Sequence, residues 1–135
     1  MVLTSVATLV ATAALIMVLT QTGIKNPTYT AAQRAEAKKE LCDQYELAAS
    51  SARIETNTAD DPALARIALD NGAAMLEVAA ANPALAANYR DAANALAAAM
   101  RKQTVMGTFG PDQAHLAAID NANVKRRVVQ RLCDG

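Results

Sequence analysis

The hydrophobic pattern of the chain changes abruptly after its first apolar stretch. Residues 2–19 form an apolar run without a single charged side chain. A helix of that length spans about 27 Å, close to the roughly 30 Å hydrocarbon core of a bilayer. The run is longer than the apolar region of a signal peptide, and residues 20–22 make a poor cleavage site. We therefore predict an uncleaved transmembrane anchor over residues 1–22, with a cleaved signal peptide or a buried soluble helix as the alternatives.

After a linker at residues 23–29, apolar residues recur at every third or fourth position in four further segments. This spacing is typical of helices that bury one face. Thr30 and Gln33 match a capping box before the first helix, and a proline at position 62, 83 or 111 begins each of the others. The predicted helices cover residues 31–55, 62–81, 83–103 and 111–133.

The apolar positions predict which face of each helix is buried. In the first helix the buried face begins at Leu41, because residues 31–40 lack a large apolar side chain and are predicted to form a solvated stalk. Residues 104–110 are predicted to be non-helical, with Met106 and Phe109 packed against the end of the bundle. The predicted inner faces are Leu41, Cys42, Tyr45, Ala48, Ala49 and Ala52; Leu64, Ile67, Ala68, Met75 and Val78; Leu85, Tyr89, Ala92, Leu96 and Met100; and Ala118, Ile119, Ala122, Val129, Leu132 and Cys133.

Four helices with short connections predict an all-α, up-down four-helix bundle over residues 30–135, in which the first and last helices are neighbours. Cys42 and Cys133 then fall on facing surfaces at the same level, so we predict a disulfide between them. The alternative is a pair of reduced, buried cysteines. A bridge closing such a long loop would stabilise the fold by about 4–5 kcal/mol in the chain-entropy model.

Two signals in the sequence disagree about the side of the membrane on which the bundle lies. Lys25, Arg34, Lys38 and Lys39 follow the apolar run, and no basic residue precedes it, which favours a cytoplasmic bundle. A disulfide instead requires an oxidising compartment outside the cytoplasmic membrane. We expect the extracytoplasmic placement, because the missing basic flank is explained if the protein starts upstream of Met1.

Composition and motifs argue against several functions. The net charge is zero, with no Trp and one Phe, so neither the basic excess nor the aromatic platforms of a nucleic-acid-binding protein are present. His115 is the only histidine, and Asp112 lies one turn before it. Two ligands do not make a metal site, and we expect His115 to be a solvated surface residue. No catalytic residue, metal or cofactor is predicted.

Two further groups of residues are candidates for contacts. Lys125, Arg126, Arg127 and Arg131 complement the negative end of the last helix; in a sharper interpretation they contact anionic lipid head groups. Ala7 and Ala11 form a small-xxx-small pair that can pack against another membrane helix. The simpler interpretation is that this pair faces only lipid.

Several motifs together carry a resemblance that covers most of the chain. They are the Thr-Ala-Ala-Gln helix opening, Cys42-Asp43-Gln44-Tyr45, the segment Asp-Pro-Ala-Leu-Ala-Arg-Ile-Ala-Leu-x-Asn and the final Leu132-Cys133. The chain resembles a group of small, Ala-rich, two-cysteine, membrane-anchored proteins of mycobacteria and related actinobacteria. The resemblance implies an exported, anchored helical domain and carries over no catalytic residue.

We expect a non-enzymatic, single-pass membrane protein of the cell envelope whose helical domain binds a protein partner or serves as an accessory subunit of a membrane complex. The alternative is a bundle that binds a small molecule or lipid in space left between Ala-rich helices near Tyr45, Tyr89 and Met100.

Overall fold

The part of the chain that the structure describes folds into four α-helices. The computed structural model describes residues 27–57 and 62–135, except for the side chains of residues 55–57. The helices are α1 (Ala31–Asn57), α2 (Pro62–Ala80), α3 (Ala87–Phe109) and α4 (Asp112–Asp134), and these residues form no strand. The prediction of an all-α protein with four helices after the apolar run is therefore confirmed.

The predicted anchor, residues 1–22 with its Ala7–Ala11 pair, lies outside the described residues. Of the helices formed by residues 27–57 and 62–135, none combines the length and the apolar character needed to cross a bilayer.

Each helix runs antiparallel to the one before it. The Asn82 side chain, just after α2, donates a hydrogen bond to Glu40 near the start of α1 at 3.3 Å. Arg66, near the start of α2, donates to the carbonyl oxygen of Gly107 near the end of α3 at 3.2 Å. A hydrogen bond from the start of α3 to the end of α4 repeats the arrangement. The capping box at the start of α1 is also confirmed, because the Thr30 and Gln33 side chains each accept the other residue's backbone N–H.

The core is built mainly from small side chains. Leu41, Leu76 and Val129 are the largest side chains that are fully buried among the described residues. The other buried positions are mostly alanine, so neighbouring helices approach closely, while each contact buries little apolar area. The main cluster contains Ala37, Leu41, Tyr45, Leu69, Ala73, Leu76, Ala79, Ala80, Ala84, Leu85, Ala93, Leu96, Ala97, Met100 and Val129.

The predicted inner face of α2 is largely wrong. Leu64, Ile67 and Val78 are exposed, Val78 by 74%, and Met75 is only half-buried. The buried face consists instead of Ala68, Leu69, Gly72, Ala73, Leu76, Ala79 and Ala80. Because α2 packs against both α1 and α3, its buried side is selected for small residues that allow close approach, and its larger residues point outward.

The predicted solvated stalk is shorter than expected. Ala37 is only 1% exposed, and Tyr29 packs against the core cluster before α1 begins. The ammonium of Lys38 lies 5.5 Å from the centre of the Tyr89 ring, a cation–π contact between α1 and α3. The packed part of α1 therefore begins at least one helical turn before Cys42.

The start of α3 also differs from the prediction. The helix begins at Ala87, four residues after the predicted start at Pro83. The Asn82 side chain accepts a hydrogen bond from the Ala84 N–H at 3.0 Å, which closes a turn typical of asparagine. The Arg90 guanidinium donates to the backbone carbonyls of residues 80, 82 and 85. These bonds hold residues 81–86 as a turn instead of a first helical turn.

At its other end α3 continues to Phe109, through residues that were predicted to be non-helical. The Thr104 hydroxyl donates to the Met100 carbonyl at 3.3 Å, and the Thr108 hydroxyl donates to the Thr104 carbonyl at 2.9 Å. These bonds satisfy each hydroxyl within the helix and let the β-branched residues remain helical. Phe109 does not pack against the bundle as predicted, because it is 86% exposed.

Candidate functional site

The disulfide between Cys42 and Cys133 is confirmed, and it ties α1 to α4. The two Cα atoms are 5.6 Å apart, within the usual range for a disulfide. Apart from this bond, α1 and α4 pack together far less than any pair of consecutive helices. The bundle is therefore closed between its first and last helices at one end only.

Away from the disulfide, α1 and α4 leave a cleft of about 750 Å³ between them. The floor is formed by Leu69 and Leu76 of α2 and by Leu96 and Met100 of α3. Binding sites for small molecules have volumes of about 300–1,000 Å³ and are mostly apolar with a few polar groups. The cleft has a volume in this range and an apolar floor, and we take it as the candidate functional site.

The charged residues that line the cleft give it a positive bias. Arg53, Arg66 and Arg126 contribute guanidinium groups from α1, α2 and α4, and Glu46 contributes the single carboxylate among the lining residues that the structure describes. Since the whole chain has no net charge, this local excess is a property of the cleft. Other polar lining side chains are Ser50, Gln103, Thr104, Asn123 and Gln130.

The end of the cleft beside the disulfide is built around Tyr45. This side chain is 3% exposed, and burial raises the pKa of its hydroxyl above the usual value of 10.0. Arg126 opposes the rise in pKa, while Glu46 adds to it. Because these three groups influence one another and all line the cleft, they mark one end of it. At neutral pH the Tyr45 hydroxyl keeps its proton and can donate a hydrogen bond.

The opposite end of the cleft is built around Arg66 and His115. The Arg66 Nη2 atom donates to the Gly107 carbonyl at 3.2 Å. The His115 ring lies against the same glycine, because a Cβ atom on Gly107 would come within 2.9 Å of His115 Cε1. The His115 Nδ1 atom is buried and has no hydrogen-bond partner among the described groups.

The expectation that His115 is a solvated surface residue is therefore wrong. The close approach of α3 and α4 at Gly107 partly buries the ring at the cleft. Asp112 is exposed and does not line the cleft. In residues 27–57 and 62–135, no group of three His, Cys, Asp or Glu residues is placed to hold a metal ion.

The structure separates the four basic residues of the last helix. Arg126 lines the cleft, whereas Lys125, Arg127 and Arg131 do not. Arg127 and Arg131 are exposed, and Lys125 is half-buried. The four side chains thus do not form one continuous basic surface, and their contact with lipid head groups stays a prediction.

Of the three residues expected to lie beside internal space, Tyr45 and Met100 line the cleft. Tyr89 lies elsewhere, because its hydroxyl donates to the Leu132 carbonyl at 3.2 Å, near the disulfide. The place of Arg53 and Arg126 in the cleft was not predicted from the sequence, although a signal was present. Arg53 follows Tyr45 by two helical turns, and Arg126 continues the inner stripe of α4, so both interrupt a predicted buried face.

Comparison with family models, with curated proteins and with solved structures finds no match to this chain.

Proposed function

We propose that the chain is a membrane-anchored, extracytoplasmic binding protein without catalytic activity, whose ligand occupies the cleft between α1 and α4. The observation that carries this proposal is the cleft itself, about 750 Å³ in volume with an apolar floor and polar walls. Of the two roles expected from the sequence, ligand binding is the one that such a cleft favours.

The proposed location has two supports. The apolar run at residues 2–19 has the length and composition of a single membrane span. The Cys42–Cys133 disulfide is typical of domains that fold outside the reducing cytoplasm. Together they favour a bundle on the outer side of the cytoplasmic membrane.

The polar groups of the cleft are suited to holding a ligand. Arginine side chains, amides and a protonated tyrosine are hydrogen-bond donors at neutral pH. They come from facing helices, so they can fix a ligand from several sides. This chemistry supports recognition instead of a chemical step on the ligand.

The test compares the small molecules that co-purify with the full wild-type chain and with a variant in which a larger side chain partly fills the cleft. Ala49 lines the cleft and is half-buried, whereas Ala35 is exposed on the same helix. Small molecules extracted from the purified protein should be depleted in Ala49→Leu and retained in the matched control Ala35→Leu. Mass spectrometry of the extracts measures this, with thermal unfolding to establish that both variants fold. Equal recovery from wild type and both variants would count against the proposal.

A second candidate function, protein interaction, is favoured by the outer face of α2. Alternating steps of three and four residues separate the exposed positions Leu64, Ile67, Asn71, Ala74 and Val78. This is the spacing of a coiled-coil seam, with Asn71 at an a position, where a single asparagine sets the register of a parallel dimer. The partner that fits this seam is a second copy of the same chain.

A parallel α2–α2 contact is compatible with the other features of the chain. Two copies anchored in one membrane would have the same orientation, as a parallel seam requires. The flanking acidic residue Asp70 would then face Met75 of the second copy, without like-charge repulsion. In membranes, Val78→Cys should give a disulfide-linked dimer, and the exposed α3 control Ala98→Cys should not. Monomer from both variants would exclude this contact.

A further inference from the structure

We infer that the ligand of the cleft is a single acyl chain with an anionic head group, and that the head group lies at the end formed by Arg66 and His115. This inference rests on the proposed function, since it takes the ligand to occupy the cleft. It adds the chemical class of the ligand and its orientation.

The length of the cleft fits one acyl chain. On α4 the lining residues extend from His115 to Gln130, which corresponds to about 22 Å along the helix axis. One acyl chain in a membrane reaches across half of the roughly 30 Å hydrocarbon core, or about 15 Å. The cleft is therefore long enough for such a chain together with its head group.

The apolar side chains form a strip along the length of the cleft. The antiparallel packing puts Leu76 and Leu96 toward the Tyr45 end, and Leu69 and Ile119 toward the His115 end. Met100 lies between them. A flexible acyl chain can cover this strip from one end to the other, and a methionine can adjust to its shape.

We assign a negative charge to the head group because Arg66 and His115 meet at the end of the cleft opposite Tyr45. Arg66 uses one of its five N–H donors on the Gly107 carbonyl, which holds the guanidinium in place. The buried His115 Nδ1 atom has no partner among the described groups. A carboxylate or phosphate oxygen can accept from the guanidinium in a charge-assisted hydrogen bond, and it supplies the missing partner for Nδ1 when the imidazole ring turns toward the cleft.

The distribution of charge sets the orientation of the ligand. Glu46, the only carboxylate among the described residues that line the cleft, belongs to the Tyr45 end, where it would repel an anion. Pro62, the first residue of α2, also lines the cleft, so the positive end of that helix dipole lies on the Arg66 side. Both features favour placing the head group beside Arg66 and His115.

The experiment uses the full chain in nanodiscs of zwitterionic lipid and three probes that carry the same diazirine in the acyl chain. The probes are palmitate, lysophosphatidate and hexadecanol, that is, a carboxylate, a phosphate and an uncharged alcohol. After photolysis, cross-linked peptides are mapped by mass spectrometry. We expect at least one anionic probe to label the α2 and α3 floor about tenfold more than the alcohol, because only the anionic probes make a charge-assisted hydrogen bond to the Arg66 guanidinium.

A pair of arginine variants tests the assignment of the head group. Arg66→Gln should reduce labelling of the floor by the anionic probe about tenfold, whereas Arg127→Gln, the same change at an exposed position outside the cleft, should not. Equal labelling by acids and alcohol, or equal effects of the two variants, would overturn the inference and leave the proposed function intact. Labelling of the floor by none of the three probes would overturn the inference, and the co-purification experiment decides separately whether the cleft binds another ligand.

Discussion

Gly72 of α2 packs against Ala48 of α1 almost backbone to backbone, since a Cβ atom on Gly72 would lie 3.1 Å from the Cβ of Ala48 and 2.8 Å from Met100 Cε. Met100 can turn away because its side chain is flexible and lines the cleft, but Ala48 is fixed to its helix. An alanine at 72 gains about 1 kcal/mol of helix propensity, and overpacking costs about 1–3 kcal/mol. We expect Gly72→Ala to lower the free energy of unfolding by about 1 kcal/mol, measured by urea denaturation.

The matched control is Gly107→Ala in α3. Its new Cβ would meet the ring of His115, which lines the open cleft and can rotate into it. The gain in helix propensity then dominates, so this variant should be no less stable than wild type. If both variants lose the same stability, the explanation from a rigid Ala48 neighbour is wrong.

Loss of the disulfide should destabilise the protein strongly. Cys42 and Cys133 are 91 residues apart in sequence, and closing a loop of that size is worth about 4.6 kcal/mol in the chain-entropy model. Few other contacts hold α1 to α4. We expect the double variant Cys42→Ala/Cys133→Ala to lose about 4–5 kcal/mol in denaturant unfolding. Reductant should lower the stability of wild type to a similar extent and leave the double variant unchanged; a loss below about 1 kcal/mol would contradict this account.

Tyr45 should make the protein less stable in alkaline solution. Burial raises its pKa in the folded state above the usual value of 10.0, so the folded protein holds the proton more tightly than the unfolded chain. The resulting stabilisation is complete below the unfolded pKa and is lost as the pH rises through the folded pKa. The unfolding free energy of wild type should therefore fall more steeply above about pH 10 than that of Tyr45→Phe.

Arg126 provides a second check on the titration of Tyr45. Its charge lowers the pKa of the buried hydroxyl, so Arg126→Gln should move the ionisation of Tyr45 to higher pH. Ultraviolet difference titration of tyrosinate measures this directly. An unchanged titration would show that Arg126 does not act on Tyr45.

Arg90, which is half-buried, should stabilise the turn between α2 and α3. Its guanidinium donates to Leu85 O at 2.8 Å and to the carbonyls of residues 80 and 82 at 3.3 Å. Arg90→Met keeps the aliphatic stem and leaves these acceptors without their donor, so it should cost about 2 kcal/mol. Arg90→Lys should recover only part of this stability. Its ammonium can still donate hydrogen bonds, but it lacks the planar guanidinium that reaches several carbonyls at once. The exposed control Arg34→Met should change stability by less than about 0.5 kcal/mol.

The parts of the fold that depend on local chemistry were predictable from the sequence. Thr30 and Gln33 satisfy backbone donors within their own turn, so the capping box needs no information from the rest of the fold. The disulfide followed from helix order, since the first and last helices of an antiparallel bundle are neighbours. Each cysteine also fell on a predicted inner face.

The orientation of α2 was not predictable by searching for its largest apolar residues. Val78 is exposed and Ala73 is fully buried, because close contact with α1 and α3 selects small residues. The spacing rule identifies an apolar stripe but does not say which of two stripes faces the core. On α2 the stripe with more bulk is the outer one.

The candidate site depends on contacts that are remote in sequence. Arg66 and His115 approach each other only because both meet Gly107, near the end of a helix that was predicted to stop earlier. The error at the end of α3 therefore also hid this end of the cleft. A lone histidine gave no sign that α3 would extend far enough to bury it.

The position of the disulfide also determines how the protein carries mechanical load. Cys133 lies two residues from Gly135, and Cys42 lies within α1. Tension between a membrane anchor and anything held at the C-terminus would pass from Cys42 straight to Cys133. The intervening residues 43–132, which include nearly all of the core and the whole cleft, would bear none of that force. The domain could thus be pulled on without being unfolded, for as long as that one covalent bond is intact.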